Sequence, residues 1–161
     1  MAKAVLLMAL SFLPALALAT RWVKDPLVVE GKVYCDTCLA GYETTATTYI
    51  AGAKVRIECK ERVSNKIIYS KEATTDSCGT YKMLIPEDHG DEICDAVLVS
   101  SPQFDCATAS PGRDRARVIL TENNGIATKN RFVNAMGFTR TDALAGCADV
   151  LKQYEETEYG Y

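Results

Sequence analysis

Seven cysteines stand in a chain of 161 residues, and none of them precedes position 35. They fall at Cys35, Cys38, Cys59, Cys78, Cys94, Cys106 and Cys147. In a reducing compartment such a set would point to metal or redox chemistry; in an exported chain it points to a disulfide framework that restricts the fold before any core is counted. Seven is odd, so at least one thiol is left over. Counting alone leaves the pairing open, because even six cysteines allow about 15 connectivities.

The first residues decide between those compartments. Lys3 is the only charge before Arg21, and Ala4 to Leu18 is apolar apart from Ser11 and Pro14. The run ends in Ala17-Leu18-Ala19, the small-x-small pattern that signal peptidase accepts. Residues 1–19 are therefore expected to be a signal peptide, cleaved after Ala19 or, alternatively, after Ala17. As a membrane anchor the run falls short of the roughly 20 apolar residues a span needs. Residues 20–161 are expected to form one domain, secreted and not inserted in a membrane. A formal net charge of −3 lacks the basic face that nucleic acid demands.

Period-2 alternation dominates the rest. Val55, Ile57 and Cys59 share one face of a strand, and Lys54, Arg56, Glu58 and Lys60 share the wet one. Tyr81, Met83 and Ile85 repeat the pattern, as do Ala116, Val118 and Leu120. Leu27–Cys35, Lys66–Thr75, Ile93–Ser100 and Asn130–Val133 complete about seven or eight strands, separated by turn sequences such as Asp76-Ser-Cys-Gly79 and Asn123-Asn-Gly125. The spacing predicts a mainly β fold, an antiparallel sandwich or flattened barrel. One short C-terminal helix is expected, capped by Thr141 or Asp142, with Leu144, Cys147, Leu151 and Tyr154 on one stripe.

The most specific string is Gly31-Lys-Val-Tyr-Cys35-Asp-Thr-Cys38. It resembles the G-x-V-Y-C-D-x-C motif of the pollen Ole e I family, the olive-allergen-like and extensin-like proteins of plants. The similarity continues through Gly41-Tyr42, Pro86 to Asp91, Cys94, Cys106 and Met136-Gly-Phe138 to Cys147. The resemblance implies three bridges, Cys35–Cys106, Cys38–Cys147 and Cys59–Cys94, and an extracellular plant protein met in pollen and vegetative tissue. Two departures stand out. Cys78 is extra, expected as a free thiol in an exposed turn, with an intermolecular disulfide as the alternative. The N-glycan turn common in the family is missing, since the chain contains no N-x-[ST] sequon.

Signatures of chemistry are sparse. His89 is the only histidine, which excludes multi-histidine metal sites and leaves one candidate triad base. In Glu87-Asp-His-Gly-Asp-Glu92 it reads as an exposed loop histidine; the same acidic turn is a poor match to a spaced Ca²⁺ loop. Cys35-x-x-Cys38 has redox or half-zinc spacing, but it follows a strand instead of opening a helix. Arg113-Asp-Arg-Ala-Arg117 reads as the wet face of a strand.

The sequence thus points to a non-enzymatic recognition protein with no cofactor. Its expected partner is a protein, a receptor or a cell-wall component, met by a monomer through the loop that carries Tyr42 and Tyr49. Allergenicity would describe a response to a stable exported domain. A protease inhibitor and a thiol oxidoreductase using Cys35 and Cys38 are the alternatives.

Overall fold

The computed structural model describes residues 25–158; the expected leader, residues 1–19, lies outside them. Ten strands occur among these residues: β1 (Leu27–Asp36), β2 (Thr48–Tyr49), β3 (Lys54–Glu61), β4 (Ile67–Thr74), β5 (Thr80–Ile85), β6 (Glu92–Ser100), β7 (Thr108–Ala109), β8 (Arg115–Val118), β9 (Asn130–Phe132) and β10 (Met136–Thr139). Helix α1 (Cys147–Glu158) follows.

β1 organises the first sheet by changing partners along its length. Leu27–Lys32 pairs antiparallel with β5, and Val28–Glu30 pairs parallel with β9 on the other side. From Val33 onward the partners are β10, parallel, and β2, antiparallel; β7 continues the sheet beyond β10. The second sheet runs β4-β3-β6-β8, all antiparallel. Inward residues alternate as the period-2 reading requires: Val55, Ile57 and Cys59 face Tyr81, Met83, Ile85, Val29 and Val33 across one core. The result is a sandwich, not a closed barrel.

Cross-strand register explains the glycines that recur in the motifs. Gly31 pairs with Tyr81, and a Cβ on Gly31 would lie 2.5 Å from the Tyr81 hydroxyl oxygen. Gly137 pairs with Tyr34, and its Cβ would lie 2.6 Å from that ring. Each tyrosine therefore lies over a glycine and is fully buried, which makes the missing side chain a packing requirement.

Several expectations change. β2, β7 and β10 were not anticipated, because their two to four residues become strands through pairing with β1 or, for β7, with β10. The sandwich is antiparallel except at β1, where the β9 and β10 pairings are parallel. Glu58 is buried despite its wet-face position, clamped by Arg56 at 2.8 Å and Lys60 at 3.8 Å. The helix does not begin at Thr141 or Asp142. Leu144 donates its N–H to Thr37 O, and Gly146 sits at φ 87°, so helical geometry cannot pass through it; its carbonyl instead receives the first turn's amides from Asp149 and Val150.

Candidate functional site: the disulfide-pinned end

The chain end of β1, the start of β3 and the turns around them gather at one pole of the sandwich. Ile50 N–H donates to Val33 O, Val33 N–H to Gly79 O, and Gly52 N–H to Thr75 O. Two of the three disulfides fasten this pole: Cys35–Cys106 ties β1 to the 101–107 loop, and Cys38–Cys147 ties the loop after β1 to the first residue of α1. The third, Cys59–Cys94, bridges residues directly opposite each other on β3 and β6. The bridged residues lie 71, 109 and 35 positions apart. In the chain-entropy model, loops of that size give about 4–5 kcal/mol per bridge.

Asp36, inside the G-x-V-Y-C-D-x-C string, shapes the loop. It is 1% exposed, and its carboxylate accepts the N–H groups of Cys38 (3.3 Å), Ala40 (3.0 Å) and Gly41 (2.7 Å). Wrapping three amides around one carboxylate forces the intervening residue out: Leu39 adopts φ 54°, a left-handed conformation that a bulky side chain rarely accepts. Leu39 is 47% exposed. The loop's far side is fixed by Thr37 Oγ1 donating to Ala46 O, by Arg113 Nε donating to Gly41 O, and by Thr45 N–H donating to the Tyr154 hydroxyl.

These constraints leave a groove of about 560 Å³ between loop and helix, lined by Leu39, Ala40, Tyr42, Leu151, Tyr154 and Glu155. The rings of Tyr42 and Tyr154 meet edge to face, with centroids 5.6 Å apart and planes at 66°.

The two tyrosines singled out in the sequence do not share this site. Tyr42 is in the groove. Tyr49, on β2, donates its hydroxyl to Glu43 at 3.0 Å, carries Lys32 Nζ 4.3 Å above its ring, and lines a separate hollow with Glu30 and Phe132. The bond to Glu43 holds the Tyr49 hydroxyl protonated beyond its ordinary range. Leu39 and Asp36 were missed as site residues. The positive φ of one and the burial of the other leave no mark in hydropathy, although Gly41, also at positive φ, hints at a tight loop. Leu151 and Tyr154, read as part of one helical stripe, face the loop.

The remaining candidates resolve otherwise. Cys78 is free and exposed at the tip of its turn, where Asp76 accepts the Cys78 and Thr80 amides and is held more acidic by them. Arg115 and Arg117 on β8 pair with Asp95 at 3.5 and 2.6 Å, which makes them part of a strand's outer face.

His89 is not exposed. It is buried against Tyr69, with ring centroids 4.4 Å apart, and its Nδ1 lies 2.7 Å from Glu92. The turn folds inward because His89 N–H donates to Leu120 O and its carbonyl receives Glu92 N–H. Donor atoms of Cys59, His89, Glu92 and Cys94 lie within 4.8 Å of one another, but both sulfurs are consumed in a bridge, leaving two donors.

Together these features define a disulfide-stapled β-sandwich that displays a rigid, solvent-facing loop. The chain belongs to the Ole e 1 family of pollen proteins: the family model described as "Pollen protein Ole e 1 like" matches residues 25–155. It is 47% identical over 155 residues to the Arabidopsis thaliana protein DOWNSTREAM OF FLC, covering 91% of this chain and 94% of that one. It is 44% identical over 131 residues to pollen-specific protein C13 of Zea mays, covering 81% and 77% of the two chains. Among solved structures, the major plantain pollen allergen Pla l 1 superposes with a TM-score of 0.66 at 32% identity, over 75% of this chain and 98% of that one.

Proposed function

We propose that this chain is a secreted plant recognition protein that binds a protein partner, a receptor or a cell-wall component, through its disulfide-pinned pole. The observation that carries the reading is Leu39: a bulky apolar residue held in a strained conformation and half exposed beside an aromatic groove. Strain of this kind costs about 1–3 kcal/mol and persists where the surroundings over-determine it, commonly at sites of contact. Secretion is supported by the leader-like first nineteen residues and by a disulfide framework that needs an oxidising compartment. No helix among the described residues is long and apolar enough to cross a membrane. A pollen setting is supported by the names of relatives such as pollen-specific protein C13 and pollen allergen Phl p 11.

The two enzymatic or inhibitory alternatives have less support. A thiol oxidoreductase needs a local dithiol, and Cys35 and Cys38 are each bonded elsewhere. An inhibitory loop would present Phe104, which is 97% exposed beside Cys106, but the Gln103–Cys106 turn is closed by Cys106 N–H donating to Gln103 O. Proteases engage a target segment as an extended strand. The single histidine is buried, its Nδ1 held by Glu92 and its Nε2 without a hydrogen-bond partner among the described residues, so no hydroxyl or thiol stands paired with it as a nucleophile.

The test is capture. Residues 20–161 with disulfides intact are immobilised and exposed to anther and wall extracts, alongside a Leu39→Ser, Tyr42→Ser double variant. A partner retained by the native surface and lost with the variant supports the reading. Proteins captured equally by both would overturn it.

A further inference from the structure

Resting on that reading of the groove, we infer that its occupant is a basic, proline-rich segment of a partner protein in polyproline II conformation. Three features of the groove select it.

The first is what the walls lack. Neither the 37–47 loop nor α1 presents an open strand edge. The Ala40 and Gly41 amides that would serve a pairing strand are already taken by Asp36. A ligand here must be held by contact area instead of a backbone ladder. A polyproline II segment has no internal hydrogen bonds, keeps its carbonyls solvated and arrives already ordered, so it loses little on docking.

The second is what the walls offer. Tyr42 and Tyr154, set edge to face, with Leu39 and Leu151 beside them, make ridged apolar sides. Aromatic-lined shallow grooves of this kind take proline rings between their side chains. With three residues per turn at about 3.1 Å each, successive turns of the ligand repeat every ~9 Å along such a groove.

The third is charge. Glu155 lines the groove, and the last turn of α1 carries no basic residue. The negative end of the helix dipole adds to the Glu155 carboxylate. Lys152, on the same helix, is engaged by Asp149 at 3.7 Å, and Arg113 is spent on Gly41 O. A cation on the ligand is what this end of the groove favours.

The experiment uses residues 20–161, oxidised, and fluorescence anisotropy with three labelled peptides: four repeats each of Pro-Pro-Lys, Gly-Gly-Lys and Pro-Pro-Glu. Pro-Pro-Lys is expected to bind at least about tenfold more tightly than either control, a tenfold ratio corresponding to 1.4 kcal/mol. Tyr42→Ala is expected to weaken that binding by about tenfold, in line with the loss of an aromatic anchor. Glu155→Lys, on an exposed residue, is expected to weaken it and flatten its salt dependence. Failure of Pro-Pro-Lys to bind, equal binding of Gly-Gly-Lys, or indifference to both variants overturns this occupant. If the peptides fail while extract capture remains sensitive to Leu39→Ser and Tyr42→Ser, recognition through the groove stands and only the occupant is wrong. If capture fails as well, both readings fall.

Discussion

Replacing Asp36 with Ala tests whether one carboxylate builds the loop that follows β1. Its oxygens accept three amides, two of them at 3.0 and 2.7 Å. Hydrogen bonds to a charged acceptor contribute about 1.5–3 kcal/mol each, so the two short ones amount to roughly 3–6 kcal/mol gross. Two terms reduce this. Gly41 is exposed, so water can replace its partner. Leu39, released from φ 54°, regains about 1–2 kcal/mol on leaving the left-handed region. The net cost is therefore about 2–4 kcal/mol. At a urea m-value of about 1.5 kcal/mol/M, the unfolding midpoint should fall by roughly 1.5–2.5 M. Because Cys38–Cys147 still tethers the loop, part of the cost will appear as local opening, read by faster amide exchange at Ala40 and Gly41. Asp36→Asn, which keeps one acceptor oxygen, should lose about half as much. If Asp36→Ala shifts the midpoint by less than about 0.3 M and leaves those amides protected, the carboxylate does not hold the loop and Leu39 is strained for another reason.

Gly31→Ala should cost about 2–3 kcal/mol in urea unfolding, because the new Cβ would meet the Tyr81 ring and hydroxyl at 2.5–2.9 Å; a loss under about 0.5 kcal/mol would show that the ring moves aside freely. Burial pushes the Tyr81 phenol well above its ordinary range, so absorbance at 295 nm should show one tyrosine that stays protonated until the fold is lost. The sign follows: its folded pKa exceeds the unfolded one, so its contribution to stability is intact below about pH 10 and declines as pH rises toward the folded value. Ionisation of all eight tyrosines in one native-state step would contradict this. Iodoacetamide on the native, oxidised chain should add a single carbamidomethyl group, mapped to Cys78, and Cys78→Ser should take up none; labelling at any other cysteine would break the bridge assignment.

Much of the fold was legible in the residues because it rests on local rules. Alternation marked β3, β5 and β8, since inward and outward positions on a strand differ by one residue. Turn chemistry separated them. The G-x-V-Y-C-D-x-C string carried the family likeness. What was illegible depends on partners distant in sequence. β10 is a strand only because Met136–Thr139 lies along β1, about a hundred residues earlier in the chain. Glu58 looked wet because its neighbours do, and it is buried because Arg56 and Lys60 close over it. His89 sits in a sequence that reads as a solvent loop, yet its backbone is drawn inward by Leu120 O.

The groove shows the same division. Sequence alone determined an apolar helical stripe at Leu151 and Tyr154, an aromatic at Tyr42 and a cysteine on each side of the gap, because composition and periodicity are properties of the chain itself. That the stripe faces the loop, that Tyr49 belongs to a different hollow, and that Leu39 is thrust outward were decided only in three dimensions. Those facts follow from where a buried carboxylate finds its donors and where a sulfur finds its partner, and such pairings are free-energy minima of the whole packed structure.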